Sequence, residues 1–199
     1  MIELNELEQD ALTEIFNIGV GIAAEALYQL GGEHVPLSVP VVELTSQAQA
    51  QSHYLDRETQ PLLGIRQTYR GEFTTDALLM FREENSLELA RLLAGPDVAQ
   101  EELADMAHDA LGEIGNIILN AVISNLSSTL NLPLEGSLPE ICAIDPKAIF
   151  SPTGTAPVLA LMIDFELHTR HVHGYLAFLL DTPSSQTLLA HLGSYARGE

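Results

Sequence analysis

The chain has 199 residues, with 28 acidic against 8 basic side chains, a formal charge of −20, 46% hydrophobic residues and one cysteine, Cys142. One lysine, Lys147, and scattered arginines offer no counter-charge to a phosphate backbone or an anionic membrane, which argues against nucleic-acid and membrane-surface binding. A lone cysteine closes no internal disulfide, no basic leader opens the chain and no run approaches the roughly 20 apolar residues of a membrane span, so a soluble, cytoplasmic protein with its own core is expected.

In chain order, Leu4, Leu7, Ala11, Ile15, Ile18 and Ile22 recur at three- and four-residue steps. They predict the core stripe of an amphipathic helix over Leu4 to Leu30, stopped by Gly31-Gly32. β-type runs follow at Leu37 to Leu44, Leu62 to Tyr69 and Glu72 to Phe81, the last two separated by the turn signal Arg70-Gly71. The polar stretch Gln47 to Gln60 reads as a loop. Ser86 to Ala94 reads as a short helix with a serine at its start and Gly95 after its end, and Gly95-Pro96-Asp97 as a joint. A second long helix is expected from Glu101 to Leu130, ended by Asn131 and Pro133. Strands at Glu140 to Ile144, Pro157 to Leu167 and Val172 to Leu180 come next, then a short helix from Ser184 to Leu192 with Gly193 after it.

The order repeats because the sequence does. Asp10-Ala-Leu-Thr-Glu-Ile-Phe-Asn-Ile18 recurs as Asp109-Ala-Leu-Gly-Glu-Ile-Gly-Asn-Ile117, identical at seven of nine positions and 99 residues on. Leu27 and Leu126, Ser38 and Ser137, and Pro40 and Pro139 match at the same offset, and the runs ending at Gly95 and Gly193 match at 98. The repeats are about 1–97 and 98–199. Each reads as a helix, three antiparallel strands and a short helix. Three strands with one apolar face are marginal alone, so the expected fold is one α+β domain, 1–199, whose two pseudo-symmetric halves share one sheet and core.

Asp10, Glu14 and Asn17 stand at i, i+4 and i+7, along one helix face, and Asp109, Glu113 and Asn116 repeat that geometry. Alone, either triplet is an ordinary wet helix side. Neighbouring polar positions have drifted, however: Thr13 became Gly112, Glu25 became Ser124 and Gln29 became Ser128. Asparagine does not titrate at neutral pH, but its amide can hold a water in line, and glutamate can accept from a cationic group. With no serine, cysteine or histidine in the stripe, nucleophilic catalysis is not expected, and one carboxylate per helix is a poor metal cage. The pair suits completion of another protein's active site.

Asp-x-x-x-Glu-x-x-Asn followed by 22 residues and a proline resembles the signature of the CheC-type phosphatases, a family that includes CheX and FliY. Both copies satisfy it, through Pro40 and Pro139. The resemblance covers essentially the whole chain and implies a CheC-like fold. It implies a phosphatase acting on the aspartyl phosphate of a CheY-like response-regulator receiver. Asn17 and Asn116 would then orient the attacking water, as the glutamine does in a GTPase. Glu14 and Glu113 would contact the receiver's lysine, with Asp10 and Asp109 in support. No cofactor would be bound by this chain, because Mg2+ in that reaction sits on the receiver. The family's association with the deamidase CheD names a second partner, for which no residue here can be matched. Phe16 before the first asparagine, against Gly115 before the second, is expected to alter how closely a receiver approaches. A rival reading is a non-catalytic binding module like the FliM middle domain, or a sensor of phosphorylated receivers.

His168, His171 and His173 are the most metal-like cluster, but only the last two share a strand face and no cysteine stands nearby, so no metal site is expected. Cys142, in Ile141-Cys-Ala-Ile144, reads as a buried inert thiol. Gly19 and Gly21 lie inside a helix stripe, where close helix packing explains them better than phosphate binding.

Overall fold

Asn5 opens the first helix through a capping box: Glu8 N–H donates to its side chain and its own N–H donates to the Glu8 carboxylate, both at 3.0 Å. Helix α1 (Glu6–Gly31) ends at Gly32, whose φ of 72° is the left-handed conformation that glycine adopts without a Cβ penalty. In the computed structural model, residues 4–32, 34–57, 62–95, 97–166 and 171–199 are described. After α1 come β1 (Leu37–Ser46), α2 (Gln47–Arg57), β2 (Leu62–Gly71), β3 (Thr74–Arg82) and, after one 3-10 turn, α3 (Ser86–Ala94). The second half runs α4 (Gln100–Leu130), β4 (Leu134–Gly136), β5 (Glu140–Ile144), α5 (Pro146–Ile149), β6 (Pro157–Glu166), β7 (His171–Leu180) and α6 (Thr182–Arg197).

All strands join one antiparallel sheet, ordered β1-β6-β7-β3-β2, with β4 and β5 both on the far side of β2. Leu78 faces Ala177 and Leu79 faces Leu176, segments that match in the sequence repeat, so a pseudo-twofold axis passes between β3 and β7. Each half supplies a hairpin, β2–β3 or β6–β7. Each hairpin is then extended by the leading strand of the other half: β1 adds to β6, and β5 adds to β2. The halves therefore interlock in one sheet. Helices α1, α4 and α6 bury the main core against one face, built from residues such as Leu12, Ile15, Phe16, Ile114, Ile118, Val122 and Leu188. Ala50, Leu62, Met80, Ile144, Phe150 and Tyr175 form a smaller cluster on the other face, next to α2 and α5.

Several details differ from the sequence expectations. Leu7, Ile18 and Ile22 are exposed; the buried side of α1 is Leu12, Ile15, Phe16, Gly19, Val20, Ala23 and Leu27. This register is set by α4, because Gly19 lets the helices touch: a Cβ there would lie 2.9 Å from the Val122 Cα. By length and composition α1 also reaches the threshold of a membrane span, which was not expected; here its apolar side packs on α4 and the sheet. The expected loop at Gln47 to Gln60 is helix α2 up to Arg57, and residues 58–60 lie outside the described ones. Gly71 is the last residue of β2, so the hairpin turns on Glu72 and Phe73. Ser184 does not cap α6. Asp181 does, accepting from Ser184 N–H at 2.7 Å, and Gly193 is buried within that helix, which ends at Gly198. Asn131 ends α4 in the left-handed conformation, φ 52°.

Candidate functional site

Glu14 and Asn17 on α1, and Glu113 and Asn116 on α4, occupy equivalent positions on the two pseudo-symmetric helices. Both glutamates are exposed, and neither has a hydrogen-bond or ion-pair partner among the described residues. Asp10 is exposed as well, and Asp109 is fully so, 3.7 Å from His108 Nδ1. The backbone below these face residues is firmly held, since Ile15, Phe16, Ile114 and Gly115 are all buried.

The asparagines are less free than the glutamates. Asn17 Oδ1 accepts the Val39 backbone N–H at 3.1 Å, and its Nδ2 donates to the Thr13 carbonyl at 3.0 Å. The 22-residue spacing between these partners is the spacing between asparagine and proline less one, so the motif ties the helix to the start of β1. Pro40 lies where the β1–β6 register shifts, between Ser38 and Val41. On α4, Asn116 Oδ1 accepts instead from Asn120 Nδ2 at 2.7 Å. Asn120 Oδ1 in turn faces the Tyr69 hydroxyl at 3.0 Å and Gln67 Nε2 at 3.4 Å. Gln67 Nε2 also donates to the Ser137 carbonyl at 2.7 Å, and its Oε1 accepts from Tyr69 at 2.8 Å. Burial pushes the Tyr69 phenol well above its usual value, so it keeps its proton and remains a donor.

Phe16 does not stand in a partner's path. It is fully buried, stacked on Phe178 with ring centroids 5.7 Å apart, while Gly115 meets Ile65 of β2 at a distance that leaves no room for a Cβ. The difference between the two copies is one of core packing under the helices, not of access to the asparagine. What does stand beside the first pair is apolar: Ile18 and Ile22, each about half exposed, on the same outward side of α1. In the second copy these positions are Ile117 and Ala121, both half-buried. Leu138, in the loop before β5, is 89% exposed.

His168 lies outside the described residues, and His173 Nδ1 is 2.5 Å from Asp164 on the neighbouring strand. Among the described residues no three His, Cys, Asp or Glu side chains converge as metal ligands. Cys142 is only partly buried, and burial, then the nearby Glu140, raise its thiol above the usual range.

The chain thus forms an antiparallel sheet interlocked by strand exchange about a pseudo-twofold axis, with a Glu–Asn pair on each of two long helices. The family model "Chemotaxis phosphatase CheX" matches residues 63–165, and the chain belongs to the CheC/CheX/FliY phosphatase family. That match runs from β2 to β6 and so contains Glu113 and Asn116. Over 203 residues, and 96% of both chains, the sequence is 25% identical to the CheY-P phosphatase CheC of Bacillus subtilis (strain 168). It is 26% identical over 145 residues to the flagellar motor switch phosphatase FliY of the same organism, covering 72% of this chain and 37% of FliY. The solved structure of Thermotoga maritima FliY superposes with a TM-score of 0.77 at 20% identity, covering 98% of this chain and 100% of that one. FliM in a complex with SpeE from H. pylori shares the fold at a TM-score of 0.68 and 11% identity, covering 97% of this chain and 98% of that one.

Proposed function

We propose that this protein hydrolyses the aspartyl phosphate of a CheY-like response-regulator receiver, with one site on α1 and one on α4. The observation that carries the reading is the duplicated pair: Glu14 with Asn17, and Glu113 with Asn116, at identical spacing on helices whose neighbouring polar positions Thr13, Glu25 and Gln29 have become Gly112, Ser124 and Ser128. CheC of Bacillus subtilis, which matches over 96% of both chains, is named for activity on CheY-P, which supports the same substrate class here.

The chemistry divides between the two proteins. The receiver holds the phosphoryl group and Mg2+. This chain contributes an exposed carboxylate that accepts from the receiver's lysine, and a carboxamide, three residues on, that reaches the same pocket and holds a water in line with the phosphorus. Neither group attacks the phosphorus in this scheme, so catalysis comes from placement, as with the water-positioning glutamine of GTPases. Ile18 and Ile22 give the α1 site an apolar shoulder, which suits a partner surface whose centre is depleted of charge. Among the 28 carboxylates, those outside the pairs add a long-range field that favours approach of the basic rim of a receiver's active site. A cytoplasmic location follows from this substrate. CheD as a further partner belongs to the family pattern and has no residue assigned to it here.

The test is loss of the phosphoryl group from a CheY receiver charged with a small-molecule phosphodonor, with and without this protein. Asn17→Ala and Asn116→Ala are each expected to remove part of the acceleration, and the double variant to return the receiver to its own rate. A folded double variant as active as the parent would refute the assignment. Binding of the phosphorylated receiver with no acceleration by the parent would establish the sensor or FliM-like reading instead.

A further inference from the structure

We infer that Asn120 is a positioning residue for Asn116, the terminal member of a polar relay that sets which end of the Asn116 amide stays free. The inference rests on the reading of Asn116 as the water-orienting group of the α4 site.

The relay has a fixed polarity because it starts at a backbone atom. The Ser137 carbonyl can only accept, so the Gln67 side chain must turn its Nε2 toward it. Gln67 Oε1 takes the single Tyr69 hydroxyl hydrogen at 2.8 Å, and the second hydrogen of Nε2 faces Asn120 at 3.4 Å, which therefore presents Oδ1 to it. Asn120 is left with Nδ2 toward Asn116, and Asn116 with Oδ1 toward Asn120 at 2.7 Å. Gln67 and Tyr69 are each only 2% exposed, so a reversed amide anywhere in the chain would leave a buried polar atom facing its like. The result is that the Asn116 NH2 stays free of the relay, and nothing among the described residues accepts from it. That group is thus available to an oxygen brought by a partner, whether of water or of a phosphoryl group.

The first half holds its asparagine Oδ1 with different atoms, and there Nδ2 gives one hydrogen to the Thr13 carbonyl. The counterpart of Asn120 is Gly21, which has no side chain to donate, and there the Val39 backbone N–H holds Asn17 Oδ1. The counterpart of Val39 is Leu138, which lies outside the strands in a loop anchored to β2 through Ser137. Where the backbone donor has been turned away, a side-chain donor stands in its place. Two unrelated solutions to one geometric demand indicate that a donor on the asparagine Oδ1 is what each site needs.

The experiment isolates the α4 site with Asn17→Ala and adds Asn120→Asp, which keeps the shape but cannot donate, or Asn120→Ala. Each is expected to lower kcat by about ten- to a hundredfold, the range that slight misplacement of a catalytic group costs, with KM for the phosphorylated receiver unchanged. Tyr69→Phe keeps the ring and removes one donor from the relay, so kcat should fall by about two- to tenfold, the worth of one neutral hydrogen bond. In the complementary Asn116→Ala background, Asn120→Asp should leave turnover at the α1 site unchanged. Equal kcat for the Asn17→Ala chain with and without the Asn120 substitutions would overturn the inference while leaving the function standing. So would a loss that falls on KM, or one that appears equally in the Asn116→Ala background. If the Asn17→Ala chain itself gave no acceleration while retaining its fold, the phosphatase reading of the α4 site would fail, and this inference with it.

Discussion

Four helix-interior glycines allow the packing of the site helices to be tested by adding one methyl group at a time. In an exposed helix, Gly→Ala stabilises by about 1 kcal/mol through backbone entropy alone. Gly21 is such a position, because a Cβ there meets nothing within 4 Å. Gly21→Ala should therefore raise Tm by about 2–4 °C, the conversion for a chain of this size. At Gly112 the nearest atom, Ile141 Cδ1 at 3.3 Å, is the mobile tip of a side chain, so propensity should still win and the variant be neutral to stabilised. Gly115 is different. Its Cβ would lie 2.7 Å from both γ carbons of Ile65 and 2.8 Å from the Ile65 Cβ, where carbons normally rest at about 3.5–4.0 Å. Overpacking of this kind costs about 1–3 kcal/mol, so after the propensity gain Gly115→Ala should lose about 1 kcal/mol, or about 2–4 °C. Relief of the clash moves α4 off β2 by the better part of an ångström next to Asn116, and turnover at that site should fall by up to about a hundredfold. Gly19→Ala, against the Val122 Cα at 2.9 Å, should also destabilise. Thermal unfolding followed by circular dichroism, with single-site turnover, decides the matter: a Gly115→Ala chain as stable as Gly21→Ala would refute the packing argument.

Three further outcomes follow from single residues. Glu14→Lys in an Asn116→Ala chain, and Glu113→Lys in an Asn17→Ala chain, should weaken receiver binding about tenfold or more, the worth of a charged hydrogen bond, as read by titration calorimetry; unchanged affinity would remove the lysine contact. Because burial and Glu140 raise the Cys142 thiol, outweighing Arg66, a thiol reagent at neutral pH should label the folded chain more slowly than the unfolded one. Asp181 is held below the usual carboxylate range by the side chain and then the backbone N–H of Ser184. Its contribution is complete above the unfolded-state value of about 3.9 and is lost as pH falls through the folded-state value, so Asp181→Asn should flatten the acid limb of the stability profile.

The order of elements was legible because periodicity, stop signals and an internal copy agreed with one another. The bounds of α3 and β5 coincide with the expected segments, since glycine and turn residues flank them. The register of α1 was not legible. Its sequence offers apolar residues on two adjacent sides, Ile15-Ile18-Ile22 and Leu12-Phe16-Gly19-Ala23, and only contact with α4 chooses between them. Helix α2 departs from the expected loop because a polar stretch can still have high helix propensity. Glutamine and alanine are good helix formers, and Ser46-x-x-Gln49 is a capping-box pattern that closes here through two 3.3 Å bonds. The Glu–Asn pairs could be read from spacing alone, as equal faces of equal helices. Asn120 could not, because its partners Gln67 and Tyr69 are some fifty residues away and meet it only when α4 lies across β2.

Exchange of the leading strands also governs how the chain reaches this fold. The β2–β3 and β6–β7 hairpins are local, but Leu37 meets Phe165 and Thr75 meets Leu180, roughly a hundred residues or more along the chain. Such pairings must wait until a long loop has closed, which places this sheet among slow-folding topologies. Until β1 and β5 arrive, both hairpins carry open edges that a second copy of the chain could occupy. During synthesis β1 emerges long before β6, its only neighbour in the sheet among the described residues, so the first half must remain incomplete until the second has left the ribosome.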